Sequence, residues 1–110
     1  MIRPAWVLFG TNPWGVSMVI GLGDTYPRTP HSVVAQQLRL QLTGGLVDGP
    51  VYRSIFGNLR GIRLLEVDEC VPFNTGFIVY HDDVGDYSTN EPITDGTANL
   101  AYVLAARFAH

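Results

Sequence analysis

The chain has 110 residues, 46% of them hydrophobic, which is enough for one packed domain or part of one. Its net charge is −3, and its seven basic residues, all arginine, form no basic run, so a nucleic-acid-binding footprint is absent. Cys70 is the single cysteine, which excludes an internal disulfide and a CxxC metal site, and we expect it to be a small half-buried filler.

The first ten residues carry an apolar run that is too short for a signal peptide or a membrane span. From Arg3 to Phe9 the pattern fits the last turn of a helix, with Gly10 as its C-cap and Asn12-Pro13 as its stop. A domain that opens in the middle of an element suggests truncation. We therefore interpret residues 1–110 as one segment of a larger domain.

The middle of the chain reads as ordered loops between short elements. Thr11 to Pro30 is rich in glycine and proline, with room for one brief strand at 16–22, and long loops in compact domains are usually functional. Residues 33–42 fit a helix by composition and a strand by the alternation of their leucines. One short helix is expected from Tyr52 to Leu59, ending at Gly61.

The C-terminal segment has the clearest periodicity. Apolar side chains recur at helical spacing between about residues 91 and 108, namely at Ala98, Ala101, Leu104, Ala105 and Phe108. Gly96 weakens the first turns of this pattern. The segment predicts one amphipathic helix that begins near Glu91.

Residues 80–92, Tyr80-His-Asp-Asp-Val-Gly-Asp-Tyr-Ser-Thr-Asn-Glu-Pro92, hold four of the ten carboxylates of the chain. Carboxylates crowded in a partly dry site raise each other's pKa, which keeps a general acid protonated near neutral pH. Glu91 ends this run, and Tyr80 and Tyr87 bracket the acids as they would in a ring-binding site. The alternative is an acidic surface loop followed by a capped helix.

Other chemical signatures in the sequence are weak. Gly21-Leu-Gly23 lacks the third glycine and the strand–helix context of a dinucleotide site. Asp82–Asp86 resembles a calcium loop only faintly, because its glycine precedes the third acidic position. Taken alone, His31 is compatible with a metal ligand, a sugar-binding group or a plain surface histidine.

Two spaced patterns resemble motifs of family nine glycoside hydrolases, the cellulase-type enzymes with (α/α)6 barrel domains. The downstream pattern runs from an aromatic and an aspartate to a second aromatic, a catalytic glutamate and a small residue, and is matched by Tyr80, Asp82, Tyr87, Glu91 and Ala98. The upstream pattern, a serine, a glycine and then Pro-His, is matched by Ser17, Gly23, Pro30 and His31. The resemblance covers nearly the entire chain.

The resemblance implies a mainly α-helical fold, in which residues 1–110 form the C-terminal segment of a six-hairpin barrel with long ordered loops. It implies inverting hydrolysis of β-linked glucan or amino-sugar oligosaccharides, with Glu91 as general acid and Asp82 in support. Neither a metal nor a cofactor is implied. The side chains expected to bind the sugar are His31, Tyr87, Tyr80 and Asp86.

The resemblance places the catalytic base in an Asp-rich motif far upstream, and nothing in this sequence corresponds to that motif. We therefore expect the isolated chain to be inactive and to need the rest of the barrel, as well as an oligosaccharide or polysaccharide substrate. A membrane or nucleic-acid partner is not expected, and export is suggested by the resemblance alone. Exposed apolar stripes would favour self-association of the isolated chain.

Three positions depart from the family pattern. Val33 stands where an arginine is usual, Ile93 where a small residue is usual and Thr97 where an asparagine is usual. The missing arginine removes a fixed fork of hydrogen-bond donors from the sugar site, so cello-oligosaccharides and amino-sugar oligosaccharides both stay open as substrates. The departures also keep two alternatives open: a non-catalytic carbohydrate-binding remnant and a purely structural α-helical domain.

Overall fold

The structure, a computed structural model, describes residues 7–108. The elements in this range are α1 (Val33–Leu38), β1 (Val51–Tyr52), α2 (Arg53–Phe56), a short 3-10 helix (Val71–Phe73), β2 (Ile78–Val79) and α3 (Thr94–Phe108). Val7 and Leu8 are also helical, and loops, turns and isolated bridges make up most of the rest, so the expected mainly α-helical fold is not confirmed by this part of the chain. The 12 glycines and 7 prolines give a physical reason, because both residue types disfavour helix interiors.

The amphipathic helix expected at the C-terminus is present as α3, but it begins at Thr94 rather than at Glu91. Asp95 in its first turn interacts favourably with the helix dipole. Gly96 allows a close approach, since a methyl group at this position would overlap the side chain of Ile93. Within the described range, no helix has both the length and the apolarity needed to cross a membrane.

The short helix α1 decides between the helix and strand interpretations of residues 33–42. Ser32 caps it by accepting a hydrogen bond from the Ala35 backbone N–H at 3.3 Å. Arg39 ends it in the left-handed conformation, with φ at 50°. Of the helix expected from Tyr52 to Leu59, only α2 (Arg53–Phe56) is present, and the helix expected over Arg3–Phe9 lies largely outside the described residues.

The hydrophobic core gathers around the segment 16–20. The Val47 backbone N–H donates to the Met18 carbonyl at 3.0 Å, and the Ile20 N–H donates to the Gly45 carbonyl at 2.9 Å. The brief strand expected at 16–22 is therefore reduced to short pairings of this kind. The buried core cluster comprises Val16, Met18, Ile20, Val47, Cys70 and Tyr80.

The two strands pair antiparallel, with Val51 opposite Val79 and Tyr52 opposite Ile78. Val79 and Tyr80 are buried, so this pairing brings the chain into the core directly before the acidic segment. The start of that segment is consequently fixed by packing.

Candidate active site

The acidic segment 80–92 is a densely hydrogen-bonded loop. Asp83 is fully buried, and its Oδ2 accepts from the backbone N–H groups of Leu65 and Glu66, both at 2.8 Å. Its Oδ1 accepts from the Gly85 N–H at 2.8 Å. Asp83 therefore binds the distant chain around Leu65 to the acidic loop.

Asp86 and His81 form a buried pair inside this loop. Asp86 Oδ2 lies 2.9 Å from His81 Nδ1 and accepts from the Thr89 hydroxyl at 2.7 Å. Asp86 Oδ1 accepts from the backbone N–H and the hydroxyl of Ser88 at 2.8 and 2.7 Å. Burial alone would raise the pKa of Asp86, but the hydrogen bonds from His81, Ser88 and Thr89 outweigh it and lower that pKa from 3.8 to about 2.

Asn74 determines which ring nitrogen of His81 carries the proton. The Asn74 Oδ1 accepts from Trp14 Nε1 at 2.7 Å and from the Tyr80 backbone N–H at 2.9 Å. Its amide nitrogen therefore faces His81 Nε2, at 3.4 Å. Because an amide NH₂ only donates, Nε2 is the acceptor, and Nδ1–H donates to Asp86.

Asp82 joins the acidic loop to the loop that carries His31. Its two oxygens accept from the backbone N–H groups of residues 28–29 at 2.8 and 2.9 Å. The Asn90 Nδ2 donates to Asp82 Oδ1 at 3.2 Å, and the His31 N–H donates to the Asn90 carbonyl at 2.9 Å. Asp82 and Asn90, the residue before Glu91, thus connect the acidic loop to the backbone of the loop that carries His31.

His31 and Tyr87, two of the four residues predicted to bind sugar, are partly exposed. Their rings meet edge to face, with the centroids 6.2 Å apart. His31 Nδ1 lies 2.6 Å from the Val84 carbonyl, and the Tyr87 hydroxyl donates to the Arg60 carbonyl at 2.7 Å. The two rings form a fixed aromatic surface.

Tyr80 and Asp86, the other two residues predicted to bind sugar, are fully buried. The Tyr80 hydroxyl donates to Asn90 Oδ1 at 2.7 Å, and burial raises the pKa of this hydroxyl well above its usual value. Direct sugar contact by either residue stays a prediction, while in this structure both side chains lie inside the loop and support it. The motif spacing could not reveal this, because spacing along the chain does not report burial.

Glu91 is exposed, and its backbone lies in an extended pairing with the chain around Asp48. The Asp48 N–H donates to the Glu91 carbonyl at 3.1 Å, and the Ile93 N–H donates to the Leu46 carbonyl at 3.0 Å. Among residues 7–108, no hydrogen-bond donor reaches the Glu91 carboxylate. The backbone of this residue is fixed while its carboxyl group lies at the surface.

Asp48 is a candidate that the sequence analysis missed. Partial burial of its carboxyl group and the negative charges of Glu91, Asp95 and Asp86 raise its pKa from 3.8 to about 6. The pKa of Asp86 is thus lowered rather than raised, and the carboxyl group with a raised pKa is Asp48, outside the acidic loop. The local sequence offered little signal, because an aspartate before Gly49-Pro50 is typical of a turn.

A cavity of about 380 Å³ has Asp82, Asp68 and Cys70 in its wall. Cys70 is buried more deeply than expected, and burial raises the pKa of its thiol to about 12. In the part of the chain that the structure describes, no three His, Cys, Asp or Glu side chains are grouped as metal ligands would be.

The three positions that depart from the family pattern have different surroundings. Val33 is the first residue of α1, and 63% of its surface is exposed. Ile93 packs against Gly96. The Thr97 hydroxyl donates to the Ile93 carbonyl at 2.6 Å and accepts from the Leu46 N–H at 3.0 Å. Thr97 thereby joins α3 to the extended pairing that holds Glu91.

Comparison with known proteins gives one clear result. A family model described as Glycosyl hydrolase family 9 matches residues 5–104. No curated protein and no solved structure matches the chain significantly. The matched range contains both spaced motifs, including His31 and Glu91, and confirms the resemblance seen in the sequence. The chain therefore belongs to glycosyl hydrolase family 9, and glycosidase is the general kind of enzyme to which it is assigned.

Proposed function

We propose that this chain supplies Glu91 as the general acid of an inverting glycoside hydrolase that cleaves β-linked glucan or amino-sugar oligosaccharides. One contrast carries the proposal. The three aspartates of residues 82–86 accept hydrogen bonds on both carboxylate oxygens. Glu91 is exposed and accepts none from the described residues. A general acid must reach the substrate, and Glu91 is the carboxyl group of this segment that is placed to do so.

His31 is proposed to contact the sugar next to Glu91. Its backbone hydrogen bond to Asn90 places it beside the residue that precedes the acid. The contact of its Nδ1 with the Val84 carbonyl fixes the ring, and Nε2 is then an acceptor for a sugar hydroxyl. Tyr87 packs against this ring and adds an amphipathic aromatic surface of the kind that binds a sugar ring.

In the proposed reaction, Glu91 donates its proton to the glycosidic oxygen as the bond to the anomeric carbon breaks. A base takes a proton from the water that attacks the opposite face, and inversion requires the two carboxyl groups to lie about 6.5–9.5 Å apart. The resemblance assigns this base to a motif that residues 1–110 lack. We therefore propose that the rest of the barrel supplies the base and that the isolated chain is inactive.

Val33 leaves the class of sugar open. An arginine two residues after His31 would offer a rigid fork of donors to the substrate, and the exposed valine offers none. Hydrolysis assays of the complete enzyme with cello-oligosaccharides and with chito-oligosaccharides decide between the two substrate classes.

The variant Glu91→Gln in the complete enzyme tests the proposal. Glutamine keeps the shape but has no acidic proton, so kcat/KM on the natural oligosaccharide should fall by about 10²–10⁴-fold. A dinitrophenyl β-glycoside, whose leaving group needs no protonation, should lose far less. Asp24→Asn removes the same charge from an exposed loop and should leave both activities unchanged. A Glu91→Gln enzyme within about 10-fold of wild type on the oligosaccharide would contradict the proposal.

A non-catalytic carbohydrate-binding remnant is the second candidate, and the family departures Val33 and Thr97 favour it. This candidate predicts that the complete wild-type protein binds oligosaccharides without cleaving them, with equal affinity in the Glu91→Gln variant. A purely structural domain would show neither binding nor cleavage.

A further inference from the structure

Asp48 lies directly opposite Glu91 in the extended pairing that holds the proposed acid. Val47 and Pro92 form an antiparallel bridge, so the next pair in register is Asp48 with Glu91. The Asp48 N–H donates to the Glu91 carbonyl at 3.1 Å, as this register requires. Side chains of directly opposed residues point to one face, with Cβ atoms about 4.5–5.5 Å apart. The two carboxyl groups therefore share a surface.

The charges that raise the pKa of Asp48 are all acidic. Glu91 acts on Asp48 across the pairing, Asp95 acts from α3 and Asp86 acts from the acidic loop. Partial burial of the Asp48 carboxyl group has a larger effect than any of these charges, and together they raise its pKa from 3.8 to about 6. Two interacting acids release their protons in steps that belong to the pair. Asp48 consequently keeps its proton to a higher pH than an isolated carboxyl group does.

We propose that Asp48 is a positioning residue for the proton of the general acid: it shares one proton with Glu91 and keeps that acid able to protonate the leaving oxygen. This inference rests on the proposed function of Glu91. When Glu91 has given its proton to the glycosidic oxygen, both carboxyl groups are ionised. Their mutual repulsion then favours uptake of one proton from solvent before the next turnover.

The surrounding backbone allows the charge of Asp48 to be changed with little effect on the fold. The Val47 N–H donates to the Met18 carbonyl at 3.0 Å, and the Gly49 N–H donates to the Thr89 carbonyl at 2.9 Å. Both neighbours are thus fixed, while the Asp48 side chain is exposed. Substitution at this position tests charge rather than packing.

The experiment is the pH profile of kcat/KM of the complete enzyme, because its alkaline limb reports the acid of the free enzyme. In Asp48→Asn the midpoint of this alkaline limb should shift to a pH that is lower by roughly 1 unit. At alkaline pH, kcat/KM should therefore be about 10-fold lower than in the wild type, whereas on the acidic plateau it should change little. Asp48→Glu should restore the wild-type limb. Asp24→Asn, the matched charge removal elsewhere, should leave the profile unchanged.

An Asp48→Asn profile that superimposes on the wild type, in an enzyme that Glu91→Gln inactivates, overturns the inference and leaves the role of Glu91 intact. A loss that is equal at every pH also overturns it, because Asp48 would then act through structure or substrate binding. An active Glu91→Gln enzyme defeats the proposed function and the inference together. Asp48→Ser provides the same measurement if Asp48→Asn fails to fold.

Discussion

Two sets of carboxyl groups lie near each other in this chain and are built in opposite ways. Asp82, Asp83 and Asp86 each accept hydrogen bonds on both carboxylate oxygens. Asp48 and Glu91 are exposed and stand side by side on an extended pairing. The first set stabilises the loop, and the second set is available for proton transfer.

The number of hydrogen-bond donors around a carboxyl group accounts for the opposite pKa shifts of Asp86 and Asp48. Hydrogen bonds to the ionised form lower the pKa of Asp86 to about 2 despite its burial, whereas neighbouring acids and partial burial raise the pKa of Asp48 to about 6. The three aspartates are therefore held within the loop, whereas Asp48 and Glu91, which are proposed to take part in proton transfer, are exposed. Four variants and conditions test this division.

The largest loss of stability is expected from Asp86→Ala. Alanine leaves the buried donors of His81, Ser88 and Thr89 without an acceptor, so the free energy of unfolding should fall by about 3–5 kcal/mol. Urea denaturation of the complete protein measures this loss. The Glu91→Gln substitution, at an exposed position, should change the free energy of unfolding by less than about 0.5 kcal/mol. Equal losses in the two variants would remove the distinction between the two sets.

Asp86 should also make stability fall at low pH. Its pKa is about 2 in the folded state against an ordinary 3.8, so between these values the unfolded chain binds more protons. The resulting stabilisation of about 2 kcal/mol is complete above pH ~4 and is lost as the pH falls through about 2. The difference in unfolding free energy between wild type and Asp86→Asn should therefore become smaller as the pH is lowered from about 4 to about 2. A difference that stays constant across this range would contradict the assignment.

Gly85 tests how closely the acidic loop packs against the chain around Arg63. A methyl group on Gly85 would overlap the Arg63 carbonyl oxygen, so Gly85→Ala should cost about 2 kcal/mol of unfolding free energy. Gly76 has open space around its Cα, and Gly76→Ala should be neutral or stabilise by up to about 1 kcal/mol. Thermal denaturation compares the two, and equal midpoints would show that this contact contributes little.

The features that the sequence predicted well depend on local spacing. The periodicity of the C-terminal residues identified α3 to within its first turn. The spacing from Tyr80 to Glu91 identified the family, which the match over residues 5–104 confirms. Both are properties of contiguous residues and need no knowledge of long-range contacts. The barrel fold was inferred from the family as a whole, and residues 7–108 consist mostly of loops and turns.

The features that the sequence did not predict depend on pairing between distant segments. Asp48 lies far from Glu91 along the chain, and neither local sequence specifies the register that brings them together. The burial of Tyr80 likewise follows from its contact with Asn90 and from packing in the core. Residue type and spacing alone could not separate a buried support from a surface acid.

The smallest expected effect is that of Thr97→Val, at the far end of the pairing from the acids. Valine keeps the shape but leaves the Leu46 N–H without its acceptor, so the unfolding free energy should fall by about 1 kcal/mol. Thr97→Ser keeps the hydroxyl and serves as the control. Asp48→Asn should move the pH profile without this loss, and Thr97→Val should show the loss without moving the profile. A shift in both variants would mean that geometry, rather than the charge of Asp48, controls the proton of Glu91.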